Sequence, residues 1–141
     1  MRRLAALAAL LAIAGCGGGG GMSAKDYRAK ADAICTTIRS ERDRIPPAQD
    51  LEQLKAVGRT TIAINTDAVR HLKALDPPGD LKGSHEVIVT RLEETVKLQQ
   101  SALTTDPKSH AMESINVRAG RARLAMIAAA KKAKLVACQR L

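Results

Sequence analysis

Tyr27-Arg28-Ala29-Lys30-Ala31-Asp32-Ala33-Ile34-Cys35-Thr36-Thr37-Ile38 carries the pattern that decides the fold. Tyr27, Ala31, Ile34 and Ile38 recur three and four residues apart, the spacing that gathers apolar side chains on one side of an α-helix. The pattern reaches Ile45 and stops at Pro46-Pro47, whose rings cannot continue a helix. Ser23, with Asp26 three residues on, offers a capping-box-like start.

The same period returns three times downstream. Asp50 can cap a second helix carrying Leu51, Leu54, Val57, Ile62, Val69, Leu72 and Leu75, ended by Asp76-Pro77-Pro78-Gly79. Gly58 and Thr60-Thr61 weaken its first half. A third helix begins near Asp80, carries Leu81, Ile88, Leu92, Val96 and Leu103, and ends at Asp106-Pro107. The fourth starts around Ser109 and is expected to run almost to the C-terminus.

On a helical wheel this fourth stretch shows two apolar stripes. One is Met112, Ile115, Ala119, Ala122, Met126, Ala129 and Ala133; the other is Val117, Leu124, Ile127, Leu135 and Cys138. A helix apolar over that much of its circumference is expected to be wedged between neighbours. No stretch shows sustained period-two alternation, so no sheet is expected. Four helices joined by short, proline-marked turns predict an all-α, antiparallel up-down-up-down four-helix bundle over residues 23–141.

Upstream of the bundle lies a different kind of sequence. Met1-Arg2-Arg3 is a short positive segment, and Leu4 to Ala14 is a run of Leu, Ala and Ile only. A membrane span needs about 20 apolar residues, so this run suits the core of a signal peptide, residues 1–15. Ile13-Ala14-Gly15-Cys16 resembles the bacterial lipobox. That resemblance implies diacylglycerol on the Cys16 sulfur, cleavage before Cys16, and a mature protein anchored on the outer side of the cytoplasmic membrane. Gly17 to Gly21 follow at once. With Cys16 and Met22 they read as a tether, residues 16–22, the glycines spanning roughly 12 Å as a flexible coil. Without a following Gly-Lys-Ser/Thr they do not make a phosphate-cradling loop.

The precursor carries a net charge of +9, and losing Arg2 and Arg3 with the leader leaves +7. Outside the cell such a balance favours anionic lipid head groups or envelope polymers as contacts. Nucleic acid is disfavoured by the lipobox and by the near absence of aromatics, since Tyr27 is the only one available for stacking.

With Cys16 assigned to lipid, Cys35 and Cys138 remain, an even count in a compartment where disulfides persist. An up-down bundle makes the first and last helices neighbours, so a bridge between them is expected; two unpaired buried thiols are the alternative. Tyr27, Ala31-Asp32-Ala33-Ile34-Cys35, Pro46-Pro47, Leu75 with Pro77-Pro78, and Ala137-Cys138 together resemble a group of small helical lipoproteins of actinobacteria. The resemblance implies an envelope location, a helical fold and the Cys35–Cys138 bridge. It implies no activity.

Catalytic and metal patterns fail on spacing. His71, His85 and His110 fall in different stretches, without an i,i+4 histidine pair or a Glu-x-x-His. His85-Glu86 is followed by Val87-Ile88-Val89, which breaks the zincin pattern. His71 and His85 with Asp67 or Glu86 on adjacent helices are the remaining combination for a metal. Ser84-His85-Glu86 point apart on a helix, and the same holds for Glu93-Glu94. Cys35 and Cys138 lack the Cys-x-x-Cys spacing of a redox pair. The fourth stretch holds Arg118, Arg121, Arg123, Lys131, Lys132, Lys134 and Arg140 against Glu113, its charge split into two edges. The expectation is a non-catalytic binding or structural module of the envelope, the competing reading being a carrier of a small ligand or metal in a pocket between helices.

Overall fold

The computed structural model describes residues 22–141. The leader, Cys16 and the five glycines lie outside the described residues. Four helices follow one another: α1 Ala24–Asp43, α2 Leu51–Lys73, α3 Lys82–Ala102 and α4 His110–Ala133. Single 3₁₀ turns at Gly79–Leu81 and Cys138–Arg140 complete the elements, and no strand occurs among the described residues. The expected all-α four-helix bundle is the fold.

α1, α2 and α4 each begin at a capping side chain, while α3 continues from the 3₁₀ turn at Gly79–Leu81. The Ser23 hydroxyl accepts from the Asp26 amide at 3.1 Å and donates to the Asp26 carboxylate at 2.6 Å. Asp50 accepts from the Gln53 amide, and Ser109 from the Met112 amide. Each cap answers one of the amides that the first turn leaves without a helical partner.

α2 is continuous through the segment expected to be weak. The Thr60 and Thr61 hydroxyls donate to the carbonyls of Ala56 and Val57 one turn back. Gly58 has a packing reason: a Cβ there would lie 2.8 Å from Leu103 Cδ2, so its absence lets the turn after α3 close onto α2.

The core is a single cluster drawn from every helix. Tyr27, Ala31, Cys35 and Ile38 from α1 meet Ala68, Val69 and Leu72 from α2, Ile88, Val89 and Leu92 from α3, and Met126, Ala129, Ala130 and Ala133 from α4. Helices adjacent in sequence pack together, α4 chiefly on α3.

The fourth helix departs from expectation in two ways. It ends at Ala133, because Lys134 takes the left-handed conformation, φ 60° and ψ 39°. The Leu135 amide then bonds back to the Ala130 carbonyl at 2.9 Å, closing a Schellman-type end. That turn drives Leu135 into the core, fully buried, and Cys138 and Leu141 join it. Second, the apolar stripe containing Val117 and Leu124 is not wedged between neighbours. Those residues are 48% and 69% exposed. Only Ala122, Met126, Ala129 and Ala133 of the other stripe are buried, along with Ala130. Leu135 and Cys138 are buried because they lie past the helix end.

α1 therefore meets the fourth helix through its C-terminal turn. Arg28 Nε donates to the Ala133 carbonyl at 2.9 Å, and the Asp32 carboxylate accepts from the amides of Val136 and Ala137 at 3.1 and 2.9 Å. This seats Cys138 opposite Cys35, and the two form a disulfide, Cα to Cα 5.1 Å, across 103 residues of chain.

Candidate functional site

The most developed apolar recess lies at one end of the bundle. The start of α2 contributes Leu51, Leu54, Lys55, Gly58 and Thr61; the end of α3 and the turn after it contribute Gln99, Ala102 and Leu103 through Pro107; α4 contributes Met112. Its volume is about 780 Å³. Leu51 and Leu54 stand in it 55% and 57% exposed, a position aliphatic side chains leave when a neighbour covers them.

Its polar wall residues already have partners. Lys55 pairs with Glu52 at 2.9 Å. Thr61 donates to the Val57 carbonyl, and Thr104 and Thr105 donate to that of Ser101. Asp106 accepts from the Lys108 amide, and Gln99 Oε1 accepts from Asn65. No nucleophile with an adjacent base stands in the recess, so what it offers a ligand is apolar surface.

Gln99 also ends a polar ladder through the bundle. Asn65, fully buried on α2, donates to Gln99 on α3 at 2.9 Å and accepts from Arg42 Nη2 on α1 at 2.5 Å. Burial holds the Arg42 guanidinium below its ordinary pKa, with Arg123 adding like-charge repulsion, and Arg42 Nε is buried without a partner. Asn65→Ala would strip partners from both neighbours at once. A polar group left unsatisfied costs about 1–3 kcal/mol, so a loss of about 2–4 kcal/mol is expected in urea unfolding. A loss below about 1 kcal/mol would show the ladder to be dispensable.

The histidines separate by environment. His71 is exposed on α2 and pairs with Asp67 at 3.1 Å; His110 is exposed at the start of α4 beside Glu113. His85 is buried on α3, its Nδ1 3.1 Å from the Tyr27 hydroxyl and its ring edge-on to the Tyr27 ring, centroids 5.7 Å apart. The structure thus does not bring His71 and His85 into one ligand set. Among the described residues no group of three or more His, Cys, Asp or Glu side chains could hold a metal ion. The Tyr27–His85 contact was not legible in sequence: the two residues are 58 positions apart on helices not adjacent along the chain.

Burial pushes the Tyr27 phenol up to about 12 and holds His85 below its ordinary value of 6.5, Glu86 opposing the latter weakly. A histidine depressed by folding is neutral in the native state and protonates more readily in the unfolded chain. Its contribution is therefore whole above about pH 6.5 and is lost as pH falls from there through the native value. Urea midpoints measured from pH 7.5 down to 5 should fall more steeply for the native chain than for His85→Gln. Parallel curves would remove this role.

Ser84 is buried, Glu94 is held low by its bonds to Arg91 and Arg118, and Glu93 pairs with Lys73 on α2. Cys35 and Cys138 are both fully buried, the setting of a structural bridge rather than of an exchanging thiol. Comparison with known proteins finds no matching family model, no matching curated protein and no matching solved structure.

Proposed function

We propose that the protein is an extracytoplasmic envelope lipoprotein, held to the membrane by lipid on Cys16, that acts as a non-catalytic binding or structural module. It fits the group of small helical lipoproteins it resembles. The observation that carries the binding half is the recess between the start of α2 and the turn after α3, with Leu51 and Leu54 exposed and its polar wall residues already partnered. Such a surface recognises apolar side chains by fit and supplies no reacting group.

The recess also lies far from Met22, where the described residues begin. The Met22 amide bonds to the Asp76 carbonyl at 3.1 Å, where α2 has ended and α3 is about to begin. The recess lies at the other end of α2, whose 23 residues span about 35 Å. No helix among the described residues is long and apolar enough to cross a membrane.

A second reading, a small-ligand carrier, draws on the same recess, since its volume falls within the roughly 300–1,000 Å³ of small-molecule sites. Protein purified natively from membranes separates the two. Under the leading reading it holds no stoichiometric small molecule or metal, and a photo-reactive residue at Leu54 captures protein adducts that one at exposed Arg91 does not. A stoichiometric small molecule released on denaturation would overturn it in favour of the carrier.

A further inference from the structure

Val117 and Leu124, which the helical period of the sequence assigns to a wedged stripe, are exposed, and cations surround them. Val117 and Leu124 lie two turns apart on the outer face of α4, opposite the buried side that carries Ala122, Met126 and Ala129. The helix positions give each edge of this stripe its own cations: Arg121 and Lys132 on one side, Lys131 on the other. Among the described residues none of these three has an acidic partner, while Arg118 shares Glu94 with Arg91. The only acid of α4 is Glu113, in its first turn.

Two basic edges around an exposed aliphatic line form the face of a helix that lies in a lipid interface, with leucine and valine among the acyl boundaries and cations at the phosphates. The sequence splits the charge of this helix into two edges. With Val117 and Leu124 outside, the split becomes the two flanks.

We propose that the outer face of α4 docks onto an anionic lipid surface. The proposal rests on the lipoprotein reading for where such a surface is met. The described residues begin at Met22, just before α1, and Arg28 of α1 bonds to the Ala133 carbonyl at the C-terminal end of α4, so an anchor on Cys16 would hold that end of the bundle nearer the leaflet than the recess end. Charge selects the occupant: a second copy of this chain would set the same cations against each other, whereas an anionic head-group layer neutralises them. The bundle then lies on its side, with the recess opening at the end remote from the tether.

The chain contains no tryptophan, so Leu124→Trp places a single indole emitter on this face. The lipidated full-length variant is reconstituted into phosphatidylcholine vesicles with or without one third phosphatidylglycerol, and flotation reports anchoring independently of emission. The expected result is a shift to shorter wavelength with the anionic vesicles only, reduced by high salt and abolished by Arg121→Glu with Lys132→Glu. An unshifted spectrum from protein that floats with anionic vesicles would overturn the proposal, as would an equal shift on both vesicle types. A shift produced by soluble polyglutamate and not by vesicles would assign the face to a polyanion instead. Protein that fails to float would refute the anchor, and the comparison of spectra on added vesicles would still decide the face.

Discussion

Replacing Cys35 and Cys138 together by alanine is expected to lower the unfolding free energy by about 4.7 kcal/mol, the chain-entropy value for a loop of about 100 residues. The bridge closes 103 residues, nearly the whole bundle, so the unfolded chain recovers almost all of its lost end-to-end freedom when it is removed. Set against a usual domain stability of about 5–15 kcal/mol, that loss leaves a marginal protein. The core has little to offset it, since five of its members are the small alanines Ala31, Ala68, Ala129, Ala130 and Ala133. The check is a urea titration of the native and double-alanine chains at one temperature. A difference below about 1 kcal/mol would mean that Asp32, Arg28 and Leu135 hold the C-terminal turn without help.

Cys16→Ala is the second large effect expected, and it is close to all-or-none. Each buried methylene of an acyl chain contributes about 0.8 kcal/mol, so two chains hold a protein on a bilayer that one would release. On the lipoprotein reading proposed above, loss of the sulfur removes the site for diacylglycerol and with it the cleavage before residue 16. The variant should accumulate unprocessed or leave the membrane fraction. Fractionation followed by intact mass measurement decides it: a variant both processed and membrane-bound would refute lipidation at Cys16.

Much of the fold was legible because its signals are local. Ser23, Asp50 and Ser109 act on amides three residues away, and Pro46-Pro47, Pro77-Pro78 and Pro107 stand in the connections past α1, α2 and α3, through which no helix can continue. Lys134 was not legible as a stop, since glycine is the residue usually found in a left-handed end and a lysine at that place reads as helix. Missing that stop carried Leu135 and Cys138 onto a helical wheel to which they do not belong. The recess was equally hidden: its leucines looked like core positions of α2, and only the arrangement of the turn after α3 leaves them uncovered.

What the sequence by itself determined is the helical class, the four segments and their capped beginnings, and the bridge as the expected pairing of two cysteines. Tertiary structure alone decided which apolar stripe of α4 is inside, that Asn65 links Arg42 to Gln99, and that His85 is buried against Tyr27. The physical reason is that periodicity reports which side chains share a face, while only packing in three dimensions tells which faces find a neighbour.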